Sequence, residues 1–299
     1  MTKSLNKIDS QNVKIDVHYL TRVEGHGNIV VDVKEGKLTK CEFQVIESPR
    51  FFESMLVGRS IWEAQHLTSR ICGICACGHT LASVKAGEDA LGIKPSDETI
   101  MLRKLLLYTE MLDSHVLHIY ILVAPDLLGV KSVVPLIKTH RPVIDMALRM
   151  KRMSDYGGEV LAGRHIHPIS YVIGGLTQLP SREGLEKLYS LMLESRKDGE
   201  ETVKIIKTLK FPEFQRPTQY MSLTSDEEYA MYDGDLMVNG KKSKVSDYRK
   251  LFMESVVDYS RAKISKINGK SYAVGALARF NNNSDSCIKK QRQWRRNWV

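Results

Sequence analysis

The feature that most constrains this chain is the segment from Arg70 to His79, which reads RICGICACGH. Three of the five cysteines lie in it, followed by a histidine: Cys72, Cys75, Cys77 and His79. A C-x-x-C turn directs two sulfurs to one point, and thiolates bind soft and borderline metals. The apolar pattern of Thr80–Leu91 predicts a helix directly afterwards, whose dipole would favour thiolates before its N-terminus. The segment therefore predicts a metal-binding loop that the rest of the chain buries.

Composition indicates a soluble globular protein of one large domain or two, since 42% of the 299 residues are hydrophobic and 26% are charged. An odd, clustered set of cysteines argues against a secreted disulfide scaffold and favours a reducing compartment, so we predict a cytoplasmic protein. Residues Met1–Ser10 have no apolar core and therefore do not resemble a signal peptide. The most apolar stretch, Leu105–Leu128, contains Glu110 and Asp113, which predicts a buried helix and excludes a membrane span.

The net charge of +9 is concentrated at the end of the sequence, where the last eleven residues contain five basic ones. The remainder is only mildly basic, which gives little support for nucleic-acid binding by the whole protein. The tail 284–299 alternates basic residues with Trp294 and Trp298 and has no helix cap or periodicity. We expect it to be disordered. It is either a basic–aromatic nucleic-acid-binding tail or an unrelated, out-of-frame extension.

Hydrophobic periodicity predicts a mainly α, α+β fold in one domain, 1–283, with a central bundle of long helices. Antiparallel strands are expected first, at Val13–Leu20, Asn28–Val33 and Leu38–Ile46. Helices are then expected at Phe51–Arg59, Ile61–Ser69, Thr80–Leu91, Asp97–Val123 (ended by Pro125), Pro142–Leu161, Ser181–Leu209 and Ser246–Asp258. Later β-hairpins are predicted at Asn239-Gly240 and Asn268-Gly269.

Several motifs coincide along roughly Val13–Asn283. They are Thr21–His26, Phe52–Arg59 with Glu53, Arg70–Cys75 with His79, Ser114–His118, Gly163-Arg164 with His167-Pro168, and Ala276–Arg279. Together they resemble the large subunit of nickel–iron hydrogenases, especially the cytoplasmic multi-subunit kind that couples hydrogen to nicotinamide, a deazaflavin coenzyme, polysulfide or heterodisulfide. A lone C-x-x-C is weak evidence, but R-x-C-G-x-C with an upstream R-x-E-G-H is highly specific to this family.

The resemblance implies roles for individual residues. Cys72 corresponds to a terminal nickel ligand, and Cys75 to the cysteine that bridges nickel to an iron carrying cyanide and carbon monoxide. Glu24 corresponds to the carboxylate that exchanges protons with the nickel thiolate, and Glu53 to the acid that holds magnesium or a second iron. Three further residues would orient the metal site: His79, His115 and Asp126.

The resemblance also implies a reaction and partners, namely reversible oxidation of H2 to protons and electrons. Splitting H2 needs a Lewis-acid metal and a base, and thiolates can themselves accept the proton. The electrons leave through iron–sulfur clusters, for which this chain has too few cysteines. We therefore expect two partners, an iron–sulfur small subunit of hydrogenase and an electron-acceptor subunit.

The sequence departs from the family near its end. The D-P-C-x-x-C arrangement and the closing histidine of the family are absent, and Cys287 has no second cysteine three residues on. The family places four thiolates on nickel, whereas this chain offers two. The sequence therefore predicts a C-terminally truncated large subunit that is inactive alone.

Two other interpretations of the residues remain open. Cys72, Cys75, Cys77 and His79 would make a zinc-binding structural module, although four ligands within eight residues would be cramped. The quinone-reducing large peripheral-arm subunit of respiratory complex I shares the hydrogenase fold. It has lost the cysteines, however, and the presence of Cys72 and Cys75 argues against it.

Overall fold

The computed structural model describes residues 12–284. Its strands are β1 (Asn12–Val17), β2 (Gly27–Lys34), β3 (Lys37–Val45), β4 (Tyr171–Val172), β5 (Gly175–Leu176), β6 (Gln219–Thr224), β7 (Asp235–Val238), β8 (Lys241–Ser243), β9 (Phe252–Val257), β10 (Ser260–Ile267) and β11 (Tyr272–Ala273). Its helices are α1 (Phe51–Leu56), α2 (Ala64–Thr68), α3 (Ala76–Leu91), α4 (Asp97–Leu117), α5 (Ala124–Leu127), α6 (Leu136–Thr139), α7 (Arg141–Ala162), α8 (Arg182–Thr208) and α9 (Tyr248–Leu251). Residues 276–284 are also helical.

The described chain forms two compact units, one of residues 12–51 with 215–284 and one of residues 52–214. The first unit holds an antiparallel sheet in the order β1-β2-β3 and a second sheet in the order β11-β6-β7-β8. Glu35 and Gly36 join β2 to β3 with φ angles of 50° and 71°. Two consecutive positive φ angles are what a tight hairpin turn requires, so the predicted first hairpin is present.

The second unit is a helical bundle in which α7 packs against both α4 and α8. Glycines allow the close approach of α4 to α7, because a Cβ on Gly157 would lie 2.7 Å from Cγ2 of Thr109. The buried face of α4 is more polar than its apolar periodicity predicts. Its buried residues are Thr99, Arg103, Leu106, Thr109, Glu110 and Val116. This polar part of the buried face directs side chains towards α3 and the cysteine loop.

The end of α4 differs from the prediction of one helix running to Val123 and ended by Pro125. A π-helical turn, His118–Val123, follows α4, and α5 then continues through the proline. Pro125 lies in the first turn of α5, where its missing N–H and fixed φ cost nothing.

The predicted helix Ser246–Asp258 is wrong. Only α9 is helical, after a 3-10 turn at Val245–Asp247, and β9 then pairs antiparallel with β10. The sequence of β9, FMESVV, is rich in aromatic and β-branched side chains, and the sheet partner decides its structure. Asn268-Gly269 does make a tight turn, with φ of 49° and 75°.

The remaining predictions concern a signal peptide, the basic tail and a membrane-spanning helix. Residues Met1–Ser10 and the tail after Ser284 lie outside the described residues. Between residues 12 and 284, every helix is too short or too polar to cross a bilayer.

Candidate metal centre

The cysteine loop, Arg70–Cys75, connects α2 to α3, and it brings two sulfurs together. The Sγ of Cys72 accepts hydrogen bonds from the backbone N–H of Ile74 at 3.3 Å and of Cys75 at 3.4 Å. The thiol of Cys75 is hydrogen-bonded to Cys72. Cys72 is buried, and Cys75 is the N-cap residue of α3. The local turn therefore places both predicted nickel ligands at one point.

The protonation of Cys75 differs from the expectation of a thiolate favoured by the helix dipole. The pKa of Cys75 is raised to about 12, first by burial, then by its hydrogen bond to Cys72 and by the charges of Cys72 and Glu110. Together these effects raise the pKa of Cys75 by more than the dipole at the N-terminus of α3 lowers it. A metal that binds here must therefore displace a proton from Cys75, as thiolate coordination generally requires.

Cys77 points to a different neighbour. Its buried thiol is hydrogen-bonded to Glu110, and its pKa is raised by burial and by the negative charge of Glu110. His79 is half-buried, and burial lowers its pKa. Within residues 12–284, no three or more His, Cys, Asp or Glu side chains are arranged to hold a metal ion.

Glu110 is the residue of this site that the sequence reasoning missed. Its Oε1 accepts from the N–H of Cys77 at 2.6 Å, and its Oε2 accepts from the N–H of Gly78 at 3.0 Å. Burial raises the pKa of Glu110, while these hydrogen bonds act in the opposite direction. A signal was available in the sequence, because Glu110 lies in phase with Leu106 and Arg103 on the face of α4 that the structure buries.

The other end of the loop is held by side chains of the same unit. His167 Nδ1 lies 2.7 Å from the carbonyl oxygen of Ser69, the residue directly before Arg70. The hydroxyl of Thr68 donates to the carbonyl oxygen of His79 at 3.3 Å and so links the two sides of the loop.

A cavity of about 220 Å³ lies behind the loop and is lined by both Cys77 and Glu110. On its far wall the ammonium group of Lys151 bridges two carboxylates, with Nζ 3.0 Å from Asp113 and 2.5 Å from Asp155. Burial raises the pKa of Asp113 against the influence of Lys151. The cavity is lined in part by charged side chains and is large enough to hold water next to the loop.

The remaining predicted site residues are exposed. Glu24 lies between β1 and β2 in the first unit, whereas Glu53 lies on α1 in the second. His115 is in the last turn of α4 and Asp126 in the first turn of α5. Their roles towards a metal stay predictions.

Comparison with known proteins decides the family. The family model "Nickel-dependent hydrogenase" matches residues 50–155, and the model "HoxL-like" matches residues 14–48. A vhu-type F420-non-reducing hydrogenase chain of Methanocaldococcus jannaschii is 30% identical over 293 residues, covering 90% of this chain and 70% of that protein. The chain belongs to the large-subunit family of nickel-dependent hydrogenases. The family predicted from the motifs is thereby confirmed.

Other members of the hydrogenase family give a consistent picture. The alpha chain of sulfhydrogenase 1 from Pyrococcus furiosus is 31% identical over 283 residues, covering 93% of this chain and 66% of that protein. The alpha chain of sulfhydrogenase 2 from the same organism is 33% identical, and the match covers 89% of this chain and 62% of that protein. The chain thus spans slightly less than two thirds of the length of these two curated relatives.

Solved structures of hydrogenases share the fold. A crystal structure of an NAD+-reducing [NiFe]-hydrogenase in the H2-reduced state superposes with a TM-score of 0.81 at 30% identity, covering 90% of this chain and 66% of that one. The [NiFeSe]-hydrogenase of Dm. baculatum has a TM-score of 0.69 at 23% identity, and the match covers 91% of this chain and 68% of that one. At this identity the similarity concerns the fold alone. The prediction of a mainly α, α+β hydrogenase fold is confirmed.

Proposed function

We propose that this chain provides the Cys72–Cys75 part of the catalytic centre of a nickel–iron hydrogenase large subunit, in which H2 is oxidised reversibly to protons and electrons, and that the chain is inactive alone. The observation that carries this proposal is the Cys72–Cys75 turn at the N-terminus of α3, where Sγ of Cys72 accepts from the N–H of Cys75 at 3.4 Å, in a chain of this family. Two converging sulfurs are a suitable donor set for a soft or borderline, redox-active metal.

Within this proposal, Cys72 would hold nickel, and Cys75 would help to hold nickel and the iron that carries cyanide and carbon monoxide. When bound, these metals would supply the Lewis-acid and redox chemistry that splitting H2 requires. Cys75 gives up its proton on metal binding, and its hydrogen bond with Cys72 keeps the two sulfurs adjacent until then. Residues 12–284 provide no third donor beside them, so we expect the chain alone to hold nickel weakly.

Proton transfer and support of the metal site are assigned to side chains outside the loop. An exposed carboxylate such as Glu24 can exchange protons with solvent, which supports its proposed role in proton transfer. Glu53 offers carboxylate oxygens, the donors preferred by magnesium, and would hold magnesium or a second iron. His79, His115 and Asp126 are proposed to orient the site through hydrogen bonds.

The electrons need a route out of the protein. We propose an iron–sulfur small subunit and an electron-acceptor subunit as partners, because five cysteines cannot provide nickel ligands and clusters together. The relatives whose names mark them as single chains of larger hydrogenases support this assembly. Free cysteines at positions 41, 72, 75 and 77 support a reducing compartment, and we propose the cytoplasm.

Metal analysis tests the proposal. The chain is co-expressed with hydrogenase maturation factors and a small subunit, and nickel, iron, zinc and hydrogen-dependent dye reduction are measured. We expect nickel below one per chain, no dye reduction, and loss of the nickel in the double variant Cys72→Ser/Cys75→Ser. Cys41→Ser is the matched control, since Cys41 is exposed on β3 and its loss should leave nickel unchanged.

Two outcomes would contradict parts of the proposal. Stoichiometric nickel with hydrogen-dependent dye reduction would show that the chain is active with two loop cysteines. Tight zinc without nickel or iron, retained in the presence of maturation factors, would contradict the hydrogenase function itself.

A further inference from the structure

Helix α3 begins without a capping side chain of its own. The first backbone N–H groups of any helix need acceptors from outside the helix, and a Ser, Thr, Asp or Asn at the N-cap usually provides one. At this position α3 has Cys75, whose side chain makes no capping hydrogen bond. The sulfur of Cys75 thus stays available, but α3 needs another acceptor.

Glu110 provides this acceptor from the neighbouring helix α4. Its two carboxylate oxygens accept from Cys77 and Gly78, the second and third residues of α3, at 2.6 and 3.0 Å. These are the positions that an N-cap side chain would otherwise serve. Glu110 is 8% exposed, and hydrogen bonds to a buried carboxylate at a helix N-terminus are among the strong ones.

His167 holds the opposite end of the loop. Because the carbonyl oxygen of Ser69 can only accept, the Nδ1 of His167, 2.7 Å away, must carry the proton and donate it. The backbone of His167 has a φ of 58°, in the left-handed region that residues other than glycine seldom adopt. Such strain persists where surrounding contacts impose it, and it is frequent near functional segments.

We propose that Glu110 and His167 are positioning residues that hold the Cys72–Cys75 loop in its metal-binding conformation before any metal arrives. This inference rests on the proposed function, because it assigns the two residues to the loop that would bind nickel. Glu110 takes over the capping of α3, so that the N-cap sulfur remains a ligand. His167 fixes the chain where it leaves α2, and the two contacts together bracket the loop at Ser69 and at Cys77-Gly78.

Hydrogen–deuterium exchange and alkylation of the metal-free chain test this proposal. The variants are Glu110→Gln, Glu110→Ala, His167→Asn and His167→Ala. Glu88→Gln is the control, because Glu88 is also buried on α3 but bonds to Arg103 and the N–H of Gly174, away from the loop. Exchange is followed in peptides covering 70–79 and 80–91, and alkylation at Cys72 and Cys75.

We expect Glu110→Ala to speed exchange at 76–79 and alkylation of the two cysteines about ten- to a hundredfold, the loss typical of hydrogen bonds to a charged group. Exchange at 80–91 should change far less. Glu110→Gln keeps one acceptor and should fall between the wild type and Glu110→Ala. His167→Ala should speed exchange at 70–73, and His167→Asn, which keeps a donor and tolerates positive φ, should partly restore it.

The proposal is overturned if the loop keeps its protection in both alanine variants, or if exchange rises equally over 70–79 and 80–91, as general destabilisation would cause. Should an alanine variant fail to fold, the graded response of Glu110→Gln and His167→Asn decides between the two results. The exchange and alkylation measurements use the metal-free chain, so their outcome does not depend on nickel binding. The proposed function can therefore fail while this proposal holds, and this proposal can fail while the proposed function holds.

Discussion

A buried glutamate lies at each end of α3, Glu88 on α3 itself and Glu110 on the neighbouring α4, and the two are held in different ways. Near the C-terminal end, Glu88 forms a two-fold ion pair with Arg103, with N–O distances of 2.9 and 2.6 Å. At the N-terminal end, Glu110 bonds to two backbone N–H groups, and within residues 12–284 it has no arginine or lysine partner. The first arrangement fixes two helices to each other, whereas the second fixes the conformation of a loop.

This difference shows how one helix pair contributes both to stability and to the conformation of the cysteine loop. Arg103 is fully buried and also donates to the carbonyl oxygen of Val172, so the pair ties α4 to α3 and to β4. A carboxylate held by backbone N–H groups instead depends on the exact path of the chain at Cys77 and Gly78. Changes near Glu88 should therefore lower stability, and changes near Glu110 should loosen the cysteine loop.

The largest expected effect comes from breaking the ion pair. Arg103→Met leaves the carboxylate of Glu88 buried without its cation, and the free energy of unfolding should fall by about 3–5 kcal/mol. Urea denaturation measures the loss. The double variant Arg103→Met/Glu88→Gln removes the stranded charge and should regain a large part of it. If the double variant is as unstable as Arg103→Met, the stranded charge of Glu88 is not the cause of the loss, and the ion pair does not have the stabilising role assigned to this end of α3.

A smaller loss is expected at the glycine pair of α7. A Cβ on Gly158 would lie 2.9 Å from the backbone Cα of His165, in the loop that carries His167. Overpacking costs about 1–3 kcal/mol, offset in part by the better helix propensity of alanine, by roughly 1 kcal/mol. Gly158→Ala should therefore lower the melting temperature and also speed alkylation of Cys72.

Gly199→Ala is the matched control, since Gly199 lies inside α8 with open space around its Cβ position. That substitution should stabilise the protein by about 0.5–1 kcal/mol and leave Cys72 unchanged. Equal alkylation rates of Cys72 in Gly158→Ala and Gly199→Ala would show that the contact between Gly158 and His165 does not support the cysteine loop.

Sequence reasoning found the elements whose signal is local. The helices α7 and α8, the first hairpin and the Cys72–Cys75 turn depend on periodicity, caps and spacing within one segment. It failed at β9, because the choice between helix and strand there depends on pairing with β10. It also missed Glu110, because the acceptor for the N-terminus of α3 lies more than thirty residues away. The periodicity of α4 indicates that Glu110 is buried, but nothing in the sequence around α3 identifies it as the acceptor.

The cap of α4 offers a contrast to that of α3, with a smaller expected effect. The hydroxyl of Ser96 accepts from the N–H of Thr99 at 3.2 Å, so α4 is capped from its own sequence. Ser96→Ala should cost about 1 kcal/mol and raise exchange only in the first turn of α4, whereas Ser96→Asp should keep the cap. Hydrogen exchange checks both, and faster exchange at 70–79 in Ser96→Ala would contradict a cap that acts locally.

The smallest expected effect is a dependence of stability on pH, because opposing influences act on Glu110. Burial raises the pKa of its carboxyl group above the ordinary value of 4.5, while the hydrogen bonds from Cys77 and Gly78 work to lower it. A group whose pKa is raised by folding binds more protons in the folded state than in the unfolded state. Its contribution to stability is therefore complete below pH 4.5 and is lost as the pH rises through the folded pKa.

Glu110→Gln removes this titration, so the decline in unfolding free energy just above pH 4.5 should be shallower in the variant than in the wild type. Urea midpoints measured across this range check the slope, and the exposed Glu186→Gln on α8 is the control for loss of a surface carboxylate. Part of the slope should remain, because burial also raises the pKa of Asp113. A wild-type stability that increases through the same range relative to Glu110→Gln would mean that the two N–H groups outweigh burial. The N-terminal end of α3 would then hold a carboxylate favoured in its charged form, as an ion pair does.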